Sequence, residues 1–303
     1  MNEYLLAAIL GIVEGLTEFL PVSSTAHIRL VQAALQGEAA LESNYWKMFA
    51  VIIQLPAIMA VVVYFRSRLI EFVRSFVAKP SLGHPVVLVG IAFVMTAVPA
   101  VLAKKLIKGN LESLWVMGGA LVIGGVVMWV VDAVFGERRQ PQIATEATTA
   151  DKALTNENAT PAEGEGVAAM KPWQAAWIGL VQVTAAIFPG TSRSMATIAA
   201  GQIAGLSRTT ALEFSFFLSI PIMFAACLKD LRDSLSPGDE AYIGAALTRE
   251  QFIQIGIGSM TSFVVALLVI SWFMNWVRRR GFVPFAIYRI IIGGVVLAWA
   301  ARG

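Results

Sequence analysis

Six stretches of this chain, roughly 48–65, 86–103, 115–135, 211–228, 252–275 and 284–301, are apolar almost without interruption. A helix rises about 1.5 Å per residue, so each can cross a hydrocarbon layer of about 30 Å. Composition supports the same class. Of 303 residues, 57% are apolar and 14% charged, and the mean hydropathy is +0.71. Soluble domains carry about 25% charged residues. A soluble globule could not hide this much apolar surface, and a disordered chain shows the opposite balance. Strand-sized alternation is absent, so the spans are predicted to be helices and not a β-barrel. The net charge of +3 gives no sign of a nucleic-acid partner. The single cysteine, Cys227, rules out an internal disulfide and a cysteine-built metal site. Met1-Asn2-Glu3 lacks a basic leader and is followed by Glu14 and Glu18, so no cleaved signal peptide is expected.

Two further regions are apolar but broken. Residues 4–36 are interrupted around Pro21, Ser23 and Ser24, and residues 173–206 around Pro189, Gly190 and Ser192. Proline and small polar residues stop a helix. In lipid, the freed backbone groups must be buried in protein or line a wet cavity. Both regions therefore read as re-entrant helix–break–helix hairpins. The chain also repeats itself. At an offset of 168, Gly11 falls on Gly179, Glu14 on Gln182, Pro21 on Pro189 and Ser24 on Ser192; nearby offsets bring Pro56 onto Pro221 and the run from Ile123 onto that from Ile292. Each half, 1–135 and 173–303, is one hairpin plus three spans. Three is odd, so the second half should be inverted relative to the first, with the two breaks meeting near the midplane. The expected fold is an all-α integral membrane protein: six transmembrane helices and two re-entrant hairpins in an inverted-topology repeat. Between the halves, 136–172 is rich in Ala, Thr, Glu and Pro and reads as a polar, disordered linker. Basic residues are more numerous on the side carrying Arg66, Arg68, Arg74, Arg208 and Arg278-Arg279-Arg280. The positive-inside rule places that side in the cytoplasm and both termini outside.

Ionisable groups within membrane segments are costly and are functional candidates. Glu14 and Glu18 are four apart and share a helix face just before the first break. Ser23, Ser24, Thr25 and His27 follow it, where a half-helix N-terminus favours an anion. A hydroxyl, an imidazole and a carboxylate in this order can serve as nucleophile, base and orienter. The second break carries Ser192, Arg193 and Ser194. A guanidinium at membrane depth needs an anion, and its planar fork suits phosphate, although a salt bridge to Glu14 or Glu18 would also satisfy it. Acid and hydroxyl on one hairpin and cation on the other is what phosphoryl transfer requires. Gln54, beside Pro56, is a weaker phosphate-binding candidate. Glu213 and Arg289 read as packing or hydrogen-bonding residues. The same architecture would also suit a transporter or flippase of lipid phosphates, which has no need of the acid–base set.

Glu14-Gly-Leu-Thr-Glu18-Phe-Leu-Pro21-Val-Ser23-Ser24-Thr25-Ala-His27 resembles the glutamate-rich signature of the bacterial undecaprenyl-diphosphatase family, the bacitracin-resistance phosphatases. Pro189-Gly190-Thr191-Ser192-Arg193-Ser194 resembles its second signature, and 282–289 resembles its last span. The resemblance implies removal of the terminal phosphate from undecaprenyl diphosphate, a long-chain isoprenyl lipid, to regenerate the cell-wall carrier. It implies a bacterial cytoplasmic membrane location with the site open to the extracytoplasmic side, and a requirement for Mg²⁺ or Ca²⁺. Glu14, Glu18, Ser24, His27 and Arg193 fall on the family's functional positions, with Glu14 and Glu18 the expected metal ligands. The nucleophile is left open between serine, histidine and water. The bilayer and the lipid substrate are the expected partners, with a second copy of the chain as an allowed one. Ala26, Met195 and Pro56 stand where the family commonly has glycine, and Met195 is expected to narrow the pocket.

Overall fold

The computed structural model describes residues 2–37, 41–103, 113–136, 166–239, 241–244 and 247–302. They are helical, with no strand among the described residues. The helices are α1 (Glu3–Thr17), α2 (Ser24–Gln36), α3 (Asn44–Ile52), α4 (Gln54–Tyr64), α5 (Arg66–Ala78), α6 (Pro85–Leu102) and α7 (Leu114–Phe135). In the second half they are α8 (Pro172–Ile187), α9 (Arg193–Ile203), α10 (Arg208–Leu235), α11 (Arg249–Arg280) and α12 (Val283–Ala300). Six of these units are long and apolar enough to cross a membrane: α3 with α4, then α6, α7, α10, α11 and α12. They coincide with the six apolar runs of the sequence.

Proline explains the interruptions. Pro21 has no N–H for the Thr17 carbonyl and Pro189 none for Ala185, so α1 stops at Thr17 and α8 at Ile187. At about 1.5 Å per residue, none of α1, α2, α8 or α9 reaches 30 Å. The first span is also broken, at Ile53, three residues before Pro56. Ser262 of α11 satisfies the loosened Ile53 carbonyl at 2.8 Å. Cys227 is buried there and donates toward the Val51 carbonyl at 3.5 Å.

The halves interlock reciprocally. α1 packs on α11 of the second half, and α8 packs on α6 of the first. Each crossing is made close by a glycine the repeat had paired. A Cβ on Gly11 would overlap the Gly258 carbonyl and the Thr261 hydroxyl, and one on Gly179 would overlap the Ala92 backbone. Thr96 donates to the Gly179 carbonyl at 2.8 Å across the second crossing. α7 and α12 pack along their lengths, with Gly118, Gly125 and Gly293 in the contact.

At the end carrying Arg208, Asp132 of α7 accepts from Arg208 Nε of α10 at 2.7 Å and from the Phe282 amide at 3.0 Å. Asp132 is buried, and it ties three spans together. A core of Phe19, Phe65, Phe216, Phe217 and Phe273 fills the space between the first break and α10 and α11. Residues 137–165 of the expected linker lie outside the described residues. Its described end is no free tether: Val167 and Met170 are buried and join this core. Two apolar residues three apart gain more from burial than from hydration.

Gly11→Val should lower the thermal midpoint of the detergent-purified protein strongly, with a cost of about 3 kcal/mol from overpacking. Gly256→Val, where a Cβ meets open space, should leave it nearly unchanged. Equal midpoints would contradict the close crossing.

Candidate active site

Both breaks resume as helices through serines in a left-handed backbone conformation. Ser23 has φ 74° and ψ 94°, and Ser192 has φ 69° and ψ 124°. They are the only non-glycine residues at positive φ among the described residues. Such conformations cost about 1–3 kcal/mol and persist where surroundings enforce them. The repeat register is corrected here by one residue. Identity had aligned Ser24 with Ser192, but the backbone matches Ser23 with Ser192, because the second break has one more residue between its proline and its cap. Ser24 and Arg193 therefore occupy equivalent places, each the first residue of its helix.

Those two residues meet on Glu18. The Glu18 Oε1 atom accepts from Arg193 Nη2 and its Oε2 accepts from the Ser24 hydroxyl. Glu18 follows the last residue of α1, where its amide still bonds the Glu14 carbonyl at 2.9 Å. Its side chain is 3% exposed, whereas that of Arg193 is 29% exposed. The guanidinium thus keeps donors accessible beyond the one that Glu18 occupies. Ser194 donates to the Leu20 carbonyl at 2.9 Å and lies 3.0 Å from the Ser192 hydroxyl, which accepts from the Met195 amide. The two breaks are joined by side chain and by backbone.

The other expected site residues are placed as follows. Glu14 is buried, and its Oε1 has no hydrogen-bond partner. His27 makes no hydrogen bond to Ser24. Its Nδ1 lies 2.7 Å from the Ser23 carbonyl, which can only accept, so Nδ1 donates, and Nε2 lies 2.7 Å from the Tyr288 hydroxyl. The two rings stack at 5.5 Å. Thr25 is exposed, and Gln54 lies under Cys227, 3.9 Å from its sulfur, with no bond to either break. Glu213 pairs with Arg68 at 2.7 Å. Met195 is packed in the core.

A polar cavity of about 10 Å³ adjoins the ion pair, room for about one water. Beyond Glu18 and Arg193 it is lined by Gln182, Ser194, Thr197, Ser215 and Ser219, with Phe19 and Phe216 as its apolar wall. Thr197 and Ser215 share a hydrogen bond of 2.6 Å. The sequence reading did not single out Tyr288, Thr197, Ser215 or Ser219. Ser215 and Ser219 lie four apart in an apolar run, a one-face polar stripe that could have been found.

The family model described as "Bacitracin resistance protein BacA" matches residues 7–295. The chain belongs to this family. Among similar proteins, an undecaprenyl-diphosphatase of Koribacter versatilis is 51% identical over the full length of both chains. One from Thermoanaerobacter sp. is 35% identical over 100% of this chain and 98% of its own. One from Sorangium cellulosum is 38% identical over 96% of this chain and 84% of its own. The six apolar helices and this family together make the chain a multi-pass membrane protein.

Removing one partner of a buried pair costs about 3–5 kcal/mol, because the other charge is left uncompensated. Glu18→Ala should lower the thermal midpoint more than Glu18→Ala combined with Arg193→Ala. A strictly additive cycle would show that the two groups do not interact.

Proposed function

We propose that this protein hydrolyses undecaprenyl diphosphate to undecaprenyl phosphate and inorganic phosphate, recycling the cell-wall carrier lipid and conferring bacitracin resistance. One observation carries the reading: a hydroxyl and a guanidinium from opposite halves of the chain converge on one buried carboxylate. Family membership and the names of the relatives support it. The reciprocal packing of α1 on α11 and α8 on α6 supports an inverted repeat with two re-entrant hairpins. In that arrangement the diphosphate sits between the breaks and the isoprenyl tail stays in lipid. The site opens to the extracytoplasmic face of the bacterial cytoplasmic membrane.

Substrate phosphate competes with Glu18 for Arg193. As the guanidinium turns to the terminal phosphate, Glu18 is freed to act as base. Ser24 Oγ then bonds to the terminal phosphorus while the bridging P–O bond breaks. The serine proton passes to Glu18, and the lipid monophosphate leaves. The amides at the start of α2 and α9 and the accessible donors of Arg193 stabilise charge on the equatorial oxygens. Water next attacks the phosphoserine. Its hydroxyl goes to phosphorus, a proton goes to Ser24 Oγ, and the proton on Glu18 leaves to solvent. Direct attack by water uses the same carboxylate without the covalent step.

Among the described residues no group of three or more His, Cys, Asp or Glu could hold a metal. The orphan Glu14 Oε1 fits a divalent cation, which Glu14 would hold with Glu18 nearby. Such an ion would neutralise phosphate charge.

The purified protein in detergent should release phosphate from a long-chain isoprenyl diphosphate. Ser24→Ala should reduce that release by about 10³-fold or more and abolish a phosphoenzyme trapped by acid quench. Near-normal turnover by Ser24→Ala would exclude the serine route, and no release by the unaltered protein would favour a carrier. A second outcome concerns His27. If it works through the strained Ser23 carbonyl, Tyr288→Phe and His27→Asn should each lower kcat, the double variant should be no slower than the worse single, and the pH–rate profile should keep its shape. Loss of one limb of that profile in His27→Asn alone would make His27 the base.

A further inference from the structure

Arg289 lies within α12 and is sealed from solvent at 0% exposure. Among the described residues no carboxylate pairs with it. Its guanidinium instead donates to three backbone carbonyls: Nη1 to Pro21 at 3.0 Å, and Nη2 to Gly190 at 3.0 Å and Ala120 at 3.2 Å. Two of these carbonyls belong to the two breaks, at Pro21 and Gly190. Broken helices leave carbonyls without intrahelical donors, and in lipid nothing else can satisfy them. A leucine or methionine would suit a buried span better if only packing were at stake, because an uncompensated buried cation is costly. One rigid, planar fork reaching both breaks fixes their separation in a way that two independent hydrogen bonds could not.

We propose that Arg289 is a positioning residue for phosphoryl transfer, setting the distance between the Ser24-bearing and Arg193-bearing breaks. The inference rests on the phosphatase reading. It also explains Gly124. That glycine of α7 faces the guanidinium, and a Cβ there would press on Arg289 Nη2 and on the Met195 methyl, 2.8 Å away. Glycine at 124 therefore makes room for the fork. Misplacement of reacting groups by about 1 Å costs roughly 100-fold in rate, so small shifts of the fork should be visible in kcat.

The test uses the full chain in detergent and measures phosphate release from a long-chain isoprenyl diphosphate. Arg289→Lys keeps the charge but cannot span both carbonyls. Gly124→Ala keeps the arginine and displaces it. Each should lower kcat by about 30- to 100-fold with KM within about 3-fold. The losses should not multiply in the double variant, nor when Arg289→Lys is placed in an Arg193→Lys background, where the clamp on phosphate is already lost. A defect of folding alone would multiply in both combinations and would be accompanied by a collapsed thermal midpoint. That result overturns the proposal, as does unchanged kcat in both single variants. No release by the unaltered protein sinks the phosphatase reading and this inference together, whereas normal release unaffected by either variant sinks the inference alone.

Discussion

A carboxylate buried at a seam within a membrane protein is costly. Desolvation costs several kcal/mol per ion, and only close opposite charge and hydrogen bonds offset it. Glu18 meets that requirement with groups brought from both halves of the chain. The ion pair joins residues 175 positions apart, one just after α1 and the other just after the break that ends α8. The elements around it serve this meeting. α11 and α6 brace the two short helices through glycine contacts, α10 closes the polar cavity with Ser215 and Ser219, and α12 lies across both breaks. The resting arrangement is therefore closed on itself. Its cavity has room for about one water.

Much of this was legible in the residues. The six spans follow from uninterrupted apolar length, which no other solvent tolerates. Pro21 and Pro189 marked the breaks, and Glu18, Ser24 and Arg193 stood out because polar groups in such segments are expensive. Carboxylate and hydroxyl on one break and guanidinium on the other pointed to a shared site. Other features were hidden for physical reasons. The contact of His27 with Tyr288 joins residues 261 apart, and no local periodicity encodes it. Tyr288 passes as an ordinary ring in an apolar helix. The backbone strain at Ser23 and Ser192 belongs to non-glycine residues, so no glycine announced it. The one-residue difference in loop length misled an alignment built on identities. Arg289 was visible as a charge, but its partners are carbonyls, which every residue carries. Asp132 with Arg208 joins two helix ends that look like ordinary polar flanks.

The strained serines show how the breaks are maintained. The carbonyl of Ser23 receives the His27 amide at 3.3 Å and the His27 ring at 2.7 Å. Ser192 instead uses its hydroxyl, accepting from Met195 and meeting Ser194. The same kink is stabilised once by an imidazole and once by hydroxyls. A strained conformation held by different means in two places belongs to the architecture, not to one local sequence.

That pair of kinks bears on how the two halves have come to differ. Glu14 has Gln182 as its counterpart at an offset of 168, and Ser24 has Arg193 at an offset of 169. The first half brings Glu14 and Glu18 to the seam and the second brings Arg193, so the junction sets acid against cation. Neither half can stand in for the other, because the carboxylate of the ion pair comes from the first and the guanidinium from the second.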